Sequence, residues 1–205
     1  WGSAPDDEVD GASQSEGGGR PGEVSIEIEI SAIKMNLIAP KMEVGTRLHF
    51  EITIGDTMTN PGLLHSPLSS RLIRADGGSR DKPIPVGYRR TLTFARDMPL
   101  WRECARRLIA AERDPRQAEL RITVYSISAG TEADSKSRRR QLGVVTHSLR
   151  QQLISGDDLI HRALPLVDGR GGAPLASVWI SVAANSALGA MCYGIERVGA
   201  LALPP

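Results

Sequence analysis

Strict alternation of apolar and polar residues runs through the middle of this chain, and it leaves few folds open. Val24, Ile26, Ile28 and Ile30 share one parity, while Glu23, Ser25, Glu27 and Glu29 take the other. Leu48, Phe50, Ile52 and Ile54 alternate in the same way with Arg47, His49, Glu51 and Thr53. The pattern returns at Leu92 and Phe94, at Leu120, Ile122 and Val124, and at Val178, Ile180 and Val182. Successive side chains of a strand point to opposite faces, so a period of two means one buried face and one wet face. Antiparallel sheets stacked face to face require that pattern. Turn signals at Gly55-Asp56, Asn60-Pro61-Gly62, Asp76-Gly77-Gly78 and Asp168-Gly169 separate the runs. Aromatic residues make up only 4% of the chain, so the space between the sheets must be filled mainly by aliphatic side chains.

One segment breaks the period. Asp97 is placed to cap a helix with Pro99 in its first turn, and Leu100, Trp101, Cys104, Ala105, Leu108 and Ile109 follow at helical spacing. Arg102, Glu103, Arg106, Glu112 and Arg113 occupy the opposite side, and Pro115 ends the helix. A shorter helical turn is expected from Leu149 to Ile154, stopped by Ser155-Gly156. Ser177 to Ile195 carries no charge, but serines, Asn185 and glycines interrupt it and its first part alternates. It reads as a terminal strand followed by a small-residue helix or a packed tail, not as a membrane span. The expected architecture is all-β: an eight-stranded antiparallel β-sandwich with one inserted α-helix, over residues 23–185.

Residues 1–22 hold Asp6, Asp7, Glu8, Asp10 and Glu16 among Gly and Ser, and have too little apolar surface to offset the entropy of ordering. They read as a flexible acidic leader, Trp1-Gly2-Ser3 as the start of a piece of a larger protein, and residues 186–205 as a C-terminal extension. The overall charge of +1 argues against a global nucleic-acid binder. It conceals an asymmetry, however: residues 71–150 carry eighteen Lys/Arg against nine Asp/Glu, and the remainder seven against fifteen. The two cysteines exclude a disulfide-rich scaffold and a Cys-only zinc site. A reducing compartment is the simpler reading, with a single bridge left open.

The order of these pieces resembles the C2 domain family. Val24–Ile30 looks like its first strand and Arg47–Ile54 its second, and Arg89–Phe94 leads into the Asp97–Pro99 turn. Glu119–Tyr125 resembles the family's alternating strand that ends in Val-Tyr. Leu142-Gly143-Val144 followed by Leu149 is similar to its apolar-Gly motif, and Pro165-Leu166 with Leu175–Val182 to its final strands. The helix before Leu120 looks more like that of the divergent C2 domains of centriolar and ciliary scaffold proteins. The resemblance implies a C2-like sandwich that positions a larger cytoplasmic protein, at a membrane surface or at the centriole and cilium. It also implies a place for calcium, which needs several oxygen ligands gathered at one end of the sandwich. Where the family carries an Asp-x-Asp pair, this chain has Ser126-Ile127-Ser128; Glu132 and Asp134 stand among Lys136, Arg138, Arg139 and Arg140. No metal site and no cofactor are expected.

The basic residues are the most informative polar feature. Lys136, Arg138, Arg139 and Arg140 form a cluster expected on a loop at the tip of the sandwich, where it would meet anionic phospholipid headgroups, an acidic protein surface, or only solvent. On a C2 fold Arg89 would lie near a basic groove for phosphoinositides, with Arg90 beside it. Alternatively, Arg89 pairs across strands with Glu27, Glu29 or Glu51. Arg106 and Arg107 on the inserted helix offer a partner interface. Met58, Leu63 and Leu64 either insert into a partner or fold back over the sandwich edge. Catalysis is not expected. His49, His65, His147 and His161 lack ligand spacing, Cys104 sits on an apolar stripe, and Asp157-Asp158 reads as a helix-starting or turn signal. No aromatic residue punctuates the basic cluster to stack on bases, which argues against nucleic acid.

Overall fold

The alternating runs become strands whose apolar parity is turned inward. A computed structural model describes residues 22–36, 45–55, 68–75, 82–128, 138–168 and 172–200. The strands are β1 (Glu23–Met35), β2 (Arg47–Ile54), β3 (Leu68–Ser69), β4 (Ile73–Arg74), β5 (Ile84–Ala95), β6 (Glu119–Ser128), β7 (Arg138–Ser148), β8 (Leu159–Leu166) and β9 (Ala176–Ala183). One antiparallel sheet runs β5-β1-β9-β8, and the other runs β3-β2-β6-β7 with β4 also on β2. β3 and β4 share the same free edge of β2, where the Ser70 amide bonds the Phe50 carbonyl and Ala75 the Thr46 carbonyl. They act as one interrupted edge strand, so the architecture is the expected sandwich of four strands upon four.

Between the sheets Ile26, Ile28, Ile30, Ile33, Val178, Ile180 and Val182 face Leu48, Phe50, Ile52, Ile122 and Val124, all almost fully buried. The core is aliphatic around two phenylalanines, Phe50 and Phe94. Val144 bridges to Val167 and so ties the two sheets together beside β7. A Cβ on Gly143 would lie 2.5 Å from the Val167 carbonyl oxygen, which is the physical reason for glycine in the Leu142-Gly143-Val144 run.

Helices close the end of the sandwich where β1 begins and β2, β5 and β9 finish. They are α1 (Pro99–Ala110), α2 (Leu149–Ser155) and α3 (Asn185–Ala200), and a 3₁₀ turn at Pro115–Ala118 leads into β6. Asp97 does not cap α1. The extended residue before the helix is Met98, because Pro99 at the first helical position disfavours helical geometry in its predecessor. α2 follows expectation: the Ser148 hydroxyl accepts from the Gln151 amide, and Gly156 terminates the helix at φ 76°. One Asp158 oxygen accepts from the Ala184 and Asn185 amides at 2.8 Å, a carboxylate at the start of α3. Ala187, Leu188 and Met191 of α3 enter the core, and α3 packs on α1. Among the described residues no helix is long and apolar enough to cross a membrane.

α1 departs from the expected division of its faces. Ile109 is 46% exposed, whereas Arg107 is 2% exposed, so Arg107 is corrected from a surface interface residue to a buried one. It stands three residues after Cys104 on the inward stripe, and its Nε donates to Glu103 Oε1 at 2.8 Å. Its Nη1 lies against Gly55, the φ 80° residue that ends β2, and finds no hydrogen-bond partner. A Cβ on Gly55 would collide with that nitrogen and lie 2.8 Å from the Gln117 carbonyl oxygen. Gly55→Ala is therefore expected to lose about 2 kcal/mol or more of unfolding free energy, from the strained φ and the displaced arginine. Urea denaturation checks this, and a variant of unchanged midpoint would mean the guanidinium does not need the space.

Candidate functional site

Because Leu48, Phe50 and Ile52 must face the core, Arg47, His49 and Glu51 face out of the β2-β6-β7 sheet. Register then decides what meets on that outer face. Arg74 of β4 is directly opposite Arg47 of β2, Arg47 is opposite Ile127 of β6, and Ile127 is opposite Arg139 of β7. Directly paired residues share a face, so one rung presents Arg74, Arg47, Ile127 and Arg139 side by side, with all three arginines exposed. Adjacent strands put Arg47 and Arg74 about 5 Å apart at Cβ, and Arg139 roughly 10 Å from Arg47. Like charges directly opposed destabilise a sheet, and among the described residues neither Arg47 nor Arg74 has an acidic partner.

The next outward rung anchors Arg139. Its Nη2 lies 2.6 Å from Glu51 Oε1, and its guanidinium carbon stands 3.7 Å from the centre of the Tyr125 ring. His49 Nε2 approaches the same Glu51 oxygen at 3.5 Å, and its ring lies 6.3 Å from that of Tyr125. Burial works to raise the Glu51 pKa, but the hydrogen bond and charge of Arg139, with Tyr125 and His49, hold it below the ordinary carboxylate value. Tyr125 is pushed up by its own burial and then by Glu51. Arg139 is thus held on the outer face between Glu51 and the Tyr125 ring.

The expected site residues do not all converge. Arg89 faces out of the other sheet, opposite Glu29, and its Nη2 lies 2.6 Å from Glu27 Oε2. That is the cross-strand pairing which the sequence left as one of two readings. Arg90 has the opposite parity, facing Ile28 across the pair, and is exposed because β5 is an edge strand. A charged side chain turned inward at a sheet edge obstructs pairing with another chain. Arg106 is held by Glu103 through two hydrogen bonds of 2.9 and 2.8 Å. Arg138, Arg139 and Arg140 are corrected from a tip loop to the start of strand β7, because they continue the β6–β7 ladder, with Arg138 and Arg140 opposite Ser128 and Ser126. Lys136, Glu132, Asp134, Met58, Leu63 and Leu64 lie outside the described residues. The sequence reading passed over Arg74 and treated Arg47 only as a polar position; their juxtaposition depends on a pairing between strands separated by a long connection.

Other polar groups have structural placements. Asp158 starts α3, as described above. Ser31 Oγ stands 3.4 Å from His161 Nδ1 and donates to the Trp179 carbonyl at 3.3 Å, and His161 has a φ of 44°. Among the described residues no three His, Cys, Asp or Glu side chains gather closely enough to hold a metal ion.

Comparison with solved structures places the fold. The chain is similar to CC2D1B, described as coordinating ESCRT-III activity during the mitotic reformation of the nuclear envelope, with a TM-score of 0.50 and 13% identity. That likeness covers 82% of this chain and 60% of the other, so the chain spans about three-fifths of that structure. A C2 domain-containing protein from an elicitor-responsive gene matches with a TM-score of 0.45 and 14% identity, over 78% of this chain and 88% of the other. No protein-family model and no curated protein matches. The fold is C2-like, and neither description is that of a centriolar or ciliary protein.

Because the Glu51 carboxylate is held below its ordinary pKa, its contribution to stability is present above the ordinary value and is lost as pH falls through the lowered one. Thermal unfolding between about pH 5 and pH 2 should therefore fall off less steeply for Glu51→Gln than for the parent chain. Equal slopes would show that Glu51 does not feel Arg139.

Proposed function

We propose that this C2-like sandwich is a non-catalytic, calcium-independent targeting module that docks on anionic phospholipid membranes through the outer face of the β4-β2-β6-β7 sheet. The observation that carries the reading is the single rung of Arg74, Arg47 and Arg139. A planar anionic surface can meet several cations at once only if they share one face, which scattered arginines such as Arg89 and Arg106 do not. Ile127, partly exposed between Arg47 and Arg139, adds an apolar contact at the centre of the row. Each arginine near such a surface contributes on the order of 1 kcal/mol, and the sum falls as salt screens it.

Calcium independence draws on the same register. Ser126 and Ser128, which stand where the family implies carboxylates, face Arg140 and Arg138 across β6 and β7. Cations opposite hydroxyls are a poor start for a divalent metal site. The reading takes the membrane over an acidic protein surface because the three arginines are exposed on one face of a sheet, whereas Arg106 on α1 is already neutralised by Glu103.

Co-sedimentation with vesicles of phosphatidylserine in phosphatidylcholine tests the proposal. Binding should occur equally in calcium and in EGTA, fade across a salt series, and drop at least about tenfold in Arg47→Glu/Arg74→Glu. Arg89→Glu should leave it unchanged. Binding that needs calcium, or that survives the double charge reversal, would overturn the reading; failure to bind at low salt would favour an acidic protein partner.

A further inference from the structure

The two cysteines of the chain lie far apart in sequence, one in α1 and one in α3. These helices pack directly on each other at the closed end of the sandwich. Cys104 is 2% exposed on the inward stripe of α1, between Trp101 and Leu108. Cys192 is partly buried against the same apolar cluster, one residue after the buried Met191. Small side chains accompany them in that cluster, with Ala105 on α1 and Ala187 on α3 both buried. Burial pushes the Cys104 thiol up to about 12, and the charge of a Cys192 thiolate adds to that rise. That influence accords with the packing of the two helices and with both side chains lying on one apolar cluster.

We infer that Cys104 and Cys192 are a redox pair that can close into a disulfide and bolt α3 to α1. The oxidant class is a peroxide. The more accessible Cys192 thiolate attacks a peroxide oxygen, the O–O bond breaks, and sulfenic acid forms with release of hydroxide. The Cys104 sulfur then attacks the Cys192 sulfur, forming the S–S bond as the sulfenic oxygen leaves as water. Overall, two thiols and hydrogen peroxide give one disulfide and two waters, with two electrons passing from sulfur to oxygen. The second step is slow at neutral pH, because Cys104 is rarely a thiolate. The pair therefore ignores brief oxidation and closes under sustained exposure. Once closed, it links residues 104 and 192 across β6, β7, β8 and β9, so that the last helix cannot leave the sandwich without the whole unit unfolding.

The test uses the full chain, reduced and then exposed to hydrogen peroxide, followed by intact mass and by peptide mapping without reductant. The expected result is loss of two hydrogens per monomer, a peptide pair joining residues 104 and 192, and a rise of about 5–15 °C in unfolding temperature. Thiol reductant should reverse all three. Cys192→Ser should show no cross-link and no thermal shift with peroxide, which separates the effect from oxidation of methionines. The inference fails if Cys192 proceeds to sulfinic acid or to intermolecular dimers while Cys104 still alkylates after unfolding, or if both thiols survive prolonged oxidant.

Discussion

Parity governs this molecule. β1 is zipped to β5 on one side and β9 on the other, and β2 is zipped to β6, so that the choice of which residues face the core is made once and carried across each sheet. The isoleucines of β1 and the Leu48–Ile54 run are buried almost completely, and each such side chain contributes roughly 1.5–3 kcal/mol of transfer free energy. A slip of one residue would send the whole set into water and draw glutamates inward, so the register is held by the core. The outer faces are the consequence. Arg47 is outside because Leu48 cannot be, and it meets Arg74 and Arg139 on one rung because Leu48 and its neighbours fix how β2 lies against β4 and β6.

Arg107 shows the same closed end making a different demand. A guanidinium buried beneath a helix would cost several kcal/mol without a partner. Glu103 supplies one at the spacing of a helical turn, and holds Arg106 as well. Hydrogen bonding to Arg106 lowers the Glu103 pKa most, with Arg107 adding to it, so the carboxylate remains charged where the buried guanidinium needs it. The missing side chain at Gly55 makes the space. α1 is thereby joined both to the end of β2 and, through its packing, to α3.

Much of this was legible in the sequence, for reasons that are local. Alternation reports which face of a strand is buried, and it located β1, β2, β5, β6 and β9, the aliphatic core and both phenylalanines, but not β7, whose first residues are arginines that read as a loop. The spacing of Trp101, Cys104 and Leu108 located α1, and Ser155-Gly156 after the Leu149–Ile154 run located α2. What failed depended on chemistry at one residue or on pairings at a distance. Asp97 has the right side chain for a cap but stands one position too early, because Pro99 fixes where the helix starts. Arg107 was read by its charge although its spacing from Cys104 put it inside. The candidate face was largely hidden: the sequence displays Arg138, Arg139 and Arg140 as a block, yet strand parity sets Arg139 on the opposite face from its two neighbours. Arg47 and Arg74 become its companions only through inter-strand register.

The three arginines of the rung are not equivalent, and the difference bears on how a flat basic face can recognise anything. Arg139 is fixed by a carboxylate on one side and an aromatic ring beneath, so little side-chain entropy remains to be lost when it meets a ligand. Part of its charge is neutralised by Glu51, however, so it contributes geometry more than field. Arg47 and Arg74 keep their full charge and face each other without an intervening acid among the described residues, an arrangement that weakens the sheet locally. An anion lying between the two would offset their mutual repulsion. A fold that needed nothing but stability would be served better by a glutamate or threonine at either position, and among the described residues it is this pair, more than the number of basic residues in the chain, that gives the proposed docking face its unbalanced positive charge.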